Sequence, residues 1–183
     1  MESGAGSSRE REERHDCEFC FEDLQTLLAA QRAIASSLEP ESVVQLTADE
    51  ARRITSAEMS AVYLLNQKNR LEICAVSGGM RKSLLGHTVS ATESLAGRAM
   101  QSAKPFLLED THDFSDVYSP IYERFKARAI LIVPLSIKNA AGAILVANRT
   151  PGGLGIEEQN LLALMSEGAA VAFENARRYV SAQ

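Results

Sequence analysis

The chain has 183 residues, 45% of them hydrophobic and 23% charged, with a formal net charge of −5. That length and balance suit one domain with a full core, and the acidic surplus argues against nonspecific nucleic-acid binding, which needs clustered Lys and Arg to displace counterions; Arg124, Lys126 and Arg128 leave a local basic patch as the alternative. No apolar run approaches the ~18–20 residues that span a bilayer. Residues 1–16 form neither a secretory signal nor a membrane anchor, so neither a membrane nor nucleic acid is an expected partner and the expected location is cytoplasmic. The three cysteines, Cys17, Cys20 and Cys74, are an odd set without an export signal and do not read as a disulfide framework.

Residues 1–16 carry no apolar side chain larger than Ala5 after Met1 and are expected to be a disordered tail, because nothing there offsets the entropy of ordering. Over residues 17–38 the apolar positions Cys17, Phe21, Leu24, Leu28, Ala35 and Leu38, with Gln31 among them, recur at alternating spacings of four and three. This is the seam of an amphipathic helix, with Leu27 and Ile34 as a second apolar shoulder. Pro40 closes that helix and opens a shorter one over 40–55, since proline suits a first helical turn and no later one.

The period then changes. Residues 59–65 (MSAVYLL) are apolar on both faces, as in a strand covered on both sides. Residues 71–76 (LEICAV) form a second strand, and the polar stretch between them makes the pair a hairpin. Residues 80–92 carry no clear period. A short helix is expected over 93–102, broken by Pro105, then a short strand over 106–110. Residues 111–126 form a long loop with a helical turn near Ile121. Residues 129–137 (AILIVPLSI) and 143–148 (AILVAN) form a second hairpin around a turn at 139–142. A final helix runs from Ile156 to about Ala182, with Glu157 and Glu158 well placed against its N-terminal dipole. Its apolar face is expected to comprise Leu161, Leu164, Met165, Ala169, Ala172, Ala176 and Tyr179.

Strands joined by tight hairpins make a mostly antiparallel sheet with helices packed on it. This order, together with SLAGRAMQSAKPFLLED (94–110), ILIVPLSIKNAAGAILVANR (130–149) and AAVAFENARRY (169–179), resembles the GAF domain family over roughly residues 22–181. Gly97, Asp110, Pro134-Leu135, Gly142 and the Glu174–Arg177 close of the last helix sit where that family has its recurrent residues. The resemblance implies an α+β, GAF-like (PAS-like) fold. Its antiparallel sheet of about six strands carries helices on one face and a loop-covered pocket on the other, framed by long N- and C-terminal helices. The organisation is then a tail (1–16), a dimerisation helix (17–38) and a GAF-like domain (39–183). The implied role is regulatory signal sensing as a homodimer through the terminal helices, with a small ligand, a protein partner or both. Because the chain ends just past the last helix, output is expected to pass to a separate effector polypeptide.

The family's ligands are diverse, so the resemblance names no cofactor. The cyclic-nucleotide signature is not met, since Asn66 and Lys68 are interrupted by Gln67 and no phenylalanine precedes Glu157-Glu158. The segment 111–128 offers Thr111, His112, Tyr118, Tyr122, Arg124 and Arg128, whose hydroxyl and guanidinium groups suit a polar or anionic ligand. The bland alternative is a lid with exposed charges. His112 is also the candidate axial ligand for a haem sensor, against a plain loop histidine. Bilin-binding relatives attach their chromophore through a cysteine often followed by histidine. Cys74 is the candidate, but Ala75 follows it inside a strand, and a buried small hydrophobe is the reading that fits better.

Cys17 and Cys20, with His15 beside them, fall short of the four ligands of a structural zinc site in one chain. A symmetric dimer would bring four thiolates together, or form a redox-active pair or interchain disulfide. The plain alternative is two inert thiols at a helix start. One branch of the family reduces free methionine sulfoxide with loop cysteines. Here Cys74 lies in a strand and Cys17 and Cys20 precede the domain, so no enzyme activity is expected. A ligand-free protein-interaction scaffold is the remaining alternative, and a filled interior would favour it over a sensor.

Overall fold

The computed structural model describes residues 21–113, 120–137 and 140–182. Helix α1 covers residues 21–34 and is followed by a turn at 35–36, so the helix ends earlier than expected at 38. The Ser36 hydroxyl bonds to Ala33 O and Glu39 donates its N–H to Ser37 Oγ, which turns the chain into α2 (Pro40–Ile54). Then come β1 (Met59–Leu65), β2 (Arg70–Ser77), α3 (Arg81–Leu84), β3 (Thr88–Ser90), α4 (Leu95–Ser102) and β4 (Phe106–Leu108). They are followed by a single 3-10 turn (Thr111–Asp113), α5 (Pro120–Phe125), β5 (Ala129–Ile137), β6 (Ala140–Asn148) and α6 (Ile156–Ser181).

The six strands form one antiparallel sheet in the order β3-β2-β1-β6-β5-β4. The expected turn at 139–142 is tighter than the sequence suggested. The β5–β6 ladder runs to Ile137↔Ala140, so Ala140 to Gly142 are strand. The stretch without clear period at 80–92 holds α3 and β3.

Alternation along each strand divides the core into two layers. Val62, Leu131, Val133, Leu135, Ile144 and Val146 face the layer under α1, α2 and α6. Met59, Ala61, Tyr63, Ile130, Ile132 and Leu145 face the other layer, which α3, α4 and α5 cover. Both faces of the central strands are therefore buried, as their continuous apolar runs require. On α6 the core-facing residues are Leu162, Met165, Ala169, Ala172, Phe173 and Ala176. Leu164 and Tyr179, expected on that face, are exposed.

Helix α1 packs by what the sequence marked as its shoulder. Leu27, Ala30 and Ile34 are buried in the α-layer, whereas Phe21, Leu24, Leu28 and Leu38 of the expected seam are exposed. Gln31 lies against Gly168 of α6, its amide donating to Leu164 O at 3.5 Å.

Candidate functional site

The loop after β4 is closed at its base by a clasp. Asp110 and Arg128 form a two-pronged ion pair, Nε to Oδ1 at 2.9 Å and Nη2 to Oδ2 at 2.6 Å. Thr111 is fully buried; its hydroxyl donates to Ala127 O at 2.8 Å and its N–H to Arg128 O at 2.7 Å. His112 donates its N–H to Asp110 Oδ1 at 3.0 Å. A fork-on-carboxylate pair flanked by backbone bonds is a specific geometric lock.

The far side of the loop is anchored differently. Ile121 and Phe125 of α5 are buried beneath it, Arg124 bonds to Ser83 O of α3, and Arg149 stacks on the Phe125 ring at 4.4 Å.

The Arg128 guanidinium and the His112 N–H bonded to it hold the Asp110 carboxyl well below the usual carboxylate range. A group whose folded pKa is depressed contributes stability above its unfolded pKa and loses it as the pH falls toward the folded one. The clasp's contribution should thus be complete above the ordinary value of 3.8 and drain below it. Asp110→Asn should cost stability at neutral pH, and its deficit against wild type should narrow at about pH 3. Urea midpoints for both proteins at the two pH values measure this; an equal deficit at both would show that the pair is energetically idle.

The expected site residues are only partly gathered. Thr111 and Arg128 are taken up by the clasp, and Arg124 ties α5 to α3. His112 and Tyr122, with Lys126 and Arg128, border a cleft of about 180 Å³ on the outside of the loop base. Tyr118, Cys17 and Cys20 lie outside the described residues.

Cys74 is far from this cluster. It stands on β2, three strand spacings or ~14 Å across the sheet from β5. It is exposed rather than buried. Val62 pairs with Ala75 and Tyr63 with Ile73, so Cys74 is the extra residue of a β-bulge that re-aims its side chain. Desolvation, then the neighbouring Glu72 charge, push its thiol above the ordinary value, which suppresses the thiolate needed for nucleophilic or chromophore chemistry.

The void between β1, β5, β6 and α4 amounts to about 10 Å³, bordered by Tyr63, Val89, Leu95, Ile132 and Leu145. That is at the lower limit for one water molecule. Tyr63, only 1% exposed, occupies this space. A larger groove of about 420 Å³ lies elsewhere, between α6, the α4–β4 turn and the outer edge of β5. Sequence reasoning missed both this groove and Asp110's role. Asp110 and Arg128 are 18 positions apart with no local period linking them; the only signal for the groove was a proline within a strand.

The family model described as "GAF domain" matches residues 37–174. Among solved structures, the chain is similar to the GAF domain of a phosphoenolpyruvate-protein phosphotransferase from Coxiella burnetii (14% identity, TM-score 0.76, covering 87% of this chain and 96% of that one). It is also similar to the corresponding domain from Acinetobacter (20%, 0.70, 85% and 94%). A third is free methionine-R-sulfoxide reductase from Neisseria meningitidis in complex with its substrate (14%, 0.72, 86% and 91%). At these identities the likeness is one of fold. A search of curated proteins finds no match.

Proposed function

The chain belongs to the GAF domain family, and from that premise we propose that it is a regulatory module that works as a homodimer through its first and last helices and carries no catalysis of its own. One observation carries this reading: α1 meets α6 through Gln31, at Leu164 O and Gly168, and both helices keep large apolar side chains exposed. Phe21, Leu24 and Leu28 of α1 are exposed, Leu24 by 52%, as are Leu164 and Val171 of α6. Scattered exposed apolar residues need no partner, but a row at helical spacing is a patch. A second copy related by a two-fold axis presents the same row and covers it isologously.

The filled space around Tyr63, between the sheet and α4, supports signalling by protein contact over a ligand buried there. The reading assigns this chain no reductase chemistry; in support, Cys74 stands on a strand with its thiol pushed up by desolvation and the Glu72 charge. No helix among the described residues is long and apolar enough to cross a membrane.

Sedimentation equilibrium tests the proposal. The protein should sediment at twice the chain mass of 19.9 kDa. Leu24→Glu combined with Leu28→Glu should halve that mass and leave the melting curve within about 1 kcal/mol of wild type, since both side chains are exposed in the protomer. A wild-type monomer at tens of micromolar would overturn the reading.

A further inference from the structure

The groove of about 420 Å³ beside α6 has a strand edge for its floor. β4 pairs only with Ile130 to Ile132 of β5, while β5 continues along β6 to Ile137. Among the described residues, nothing pairs with positions 133–137 on the side away from β6, an open edge of roughly 17 Å. Pro134 lies within it. A proline is tolerated in a strand where its missing N–H faces away from the neighbouring strand, so Pro134 faces the groove. Ser136, two residues on, faces the same way, and its backbone N–H and C=O stand at the edge.

One wall is α6, where small side chains, Ala163, Ser166 and Ala170, let another backbone approach. Glu167 and Glu174 lie two turns apart on that wall, ~10.5 Å along the axis. Glu167 is exposed. Glu174 is already engaged, meeting Arg178 at 3.5 Å, so the exposed Glu167 is the carboxylate this wall offers a partner.

We propose that this groove binds an extended, basic segment of another protein, which pairs its backbone with the open edge of β5 and sets a Lys or Arg against Glu167. The strand edge demands an extended backbone, because a ladder of acceptors and one donor is satisfied only by a strand. The Glu167 carboxylate demands positive charge. A second copy of this chain suits the groove less well. Its net charge of −5 repels the acidic wall. Pro134 limits the ladder and so guards the edge against indiscriminate strand addition.

The test uses the full chain and a fluorescein-labelled peptide of alternating Lys and Val, read by anisotropy at low salt. Three comparisons accompany it: the same peptide N-methylated at alternate backbone nitrogens, a Glu-Val counterpart, and the protein variants Ser136→Pro and Glu167→Lys. Saturable binding is expected, weakened about tenfold or more by N-methylation and by Ser136→Pro, the loss of roughly one well-made hydrogen bond to the edge. Glu167→Lys should weaken it similarly and flatten its salt dependence. The Glu-Val peptide should not bind. The N-methylated arm keeps the test decisive should Ser136→Pro fold poorly.

Absence of saturable binding, equal affinity for the N-methylated peptide, or indifference to Glu167→Lys overturns the proposal. So does self-association that Glu167→Lys abolishes, which would put a second copy in the groove. Val171 borders both the groove and the proposed dimer surface; the Leu24→Glu, Leu28→Glu chain changes neither the β5 edge nor Glu167 and should bind the peptide as wild type does, which tells failure of this inference from failure of the dimer.

Discussion

Tyr63→Ala should lower the unfolding free energy by about 3–5 kcal/mol, the range for truncating a buried aromatic ring. Tyr63 is among the largest fully buried side chains and packs on the sheet face opposite α6, amid Val89, Leu95, Ile132 and Leu145. Removing its ring loses the transfer free energy and leaves a cavity, because strands β1, β5 and β6 on one side and α4 on the other hold the walls apart. For a domain of this size that loss corresponds to a melting temperature about 10 °C lower. A second readout follows from the site's geometry. The wild-type void is about 10 Å³, whereas a cavity left by an aromatic ring and lined by apolar groups accepts a small apolar molecule. Toluene or indole should therefore raise the melting temperature of Tyr63→Ala and leave wild type unchanged. Stabilisation of the wild type by such probes would mean that the interior opens, and would return the buried-ligand reading to the front.

Gly142→Ala should cost about 2–3 kcal/mol, at the upper end of overpacking effects. A Cβ on Gly142 would stand 2.3 Å from Tyr63 O and 3.1 Å from Leu64 Cδ2. The nearer atom is backbone of the neighbouring strand β1, so no rotamer change relieves the clash; the β1–β6 ladder itself must separate. Gly97→Ala should behave alike, since its Cβ would lie 2.4 Å from Ala91 O at the start of α4. Gly79→Ala is the control, having nothing within 4 Å of the added carbon. Chemical denaturation of the three variants measures the ordering. Equal stability of Gly142→Ala and Gly79→Ala would show that the ladder yields cheaply.

These two glycines show how the sequence carried the fold. Both were visible as family-matching positions before any coordinates, but their reason, backbone within 2.4 Å of where a side chain would begin, belongs to strand and helix neighbours distant in sequence. The strands β1, β2 and β5 were legible because continuous or alternating apolar runs report burial on two faces directly. α3 and β3 were not, because a three-residue strand and a four-residue helix are too short to establish any period.

The candidate site was less legible than the fold. Thr111 and Arg128 looked like ligand-binding groups because hydroxyl and guanidinium chemistry is the same whether it holds a ligand or a loop. The placement of Asp110 and the Ala127 carbonyl beside them makes the clasp, which the residue types by themselves did not show. Cys74 read as a buried strand residue, and a one-residue bulge, which has no composition signal, turned it out to the surface.

The sequence by itself determined the longer elements, the antiparallel hairpins, the two-sided burial of β1 and β5 and the amphipathic character of the framing helices, because each is written in local periodicity. Tertiary structure alone decided which of α1's two apolar rows the domain covers. Leu27, Ala30 and Ile34 meet the α-layer, so the more regular row of Phe21, Leu24 and Leu28 is left outward. It also decided that Tyr63 fills the interior and that β4 stops short of the end of β5. Periodicity states that a face must be buried; what buries it is fixed by how far neighbouring elements reach, and that is a property of the packed chain.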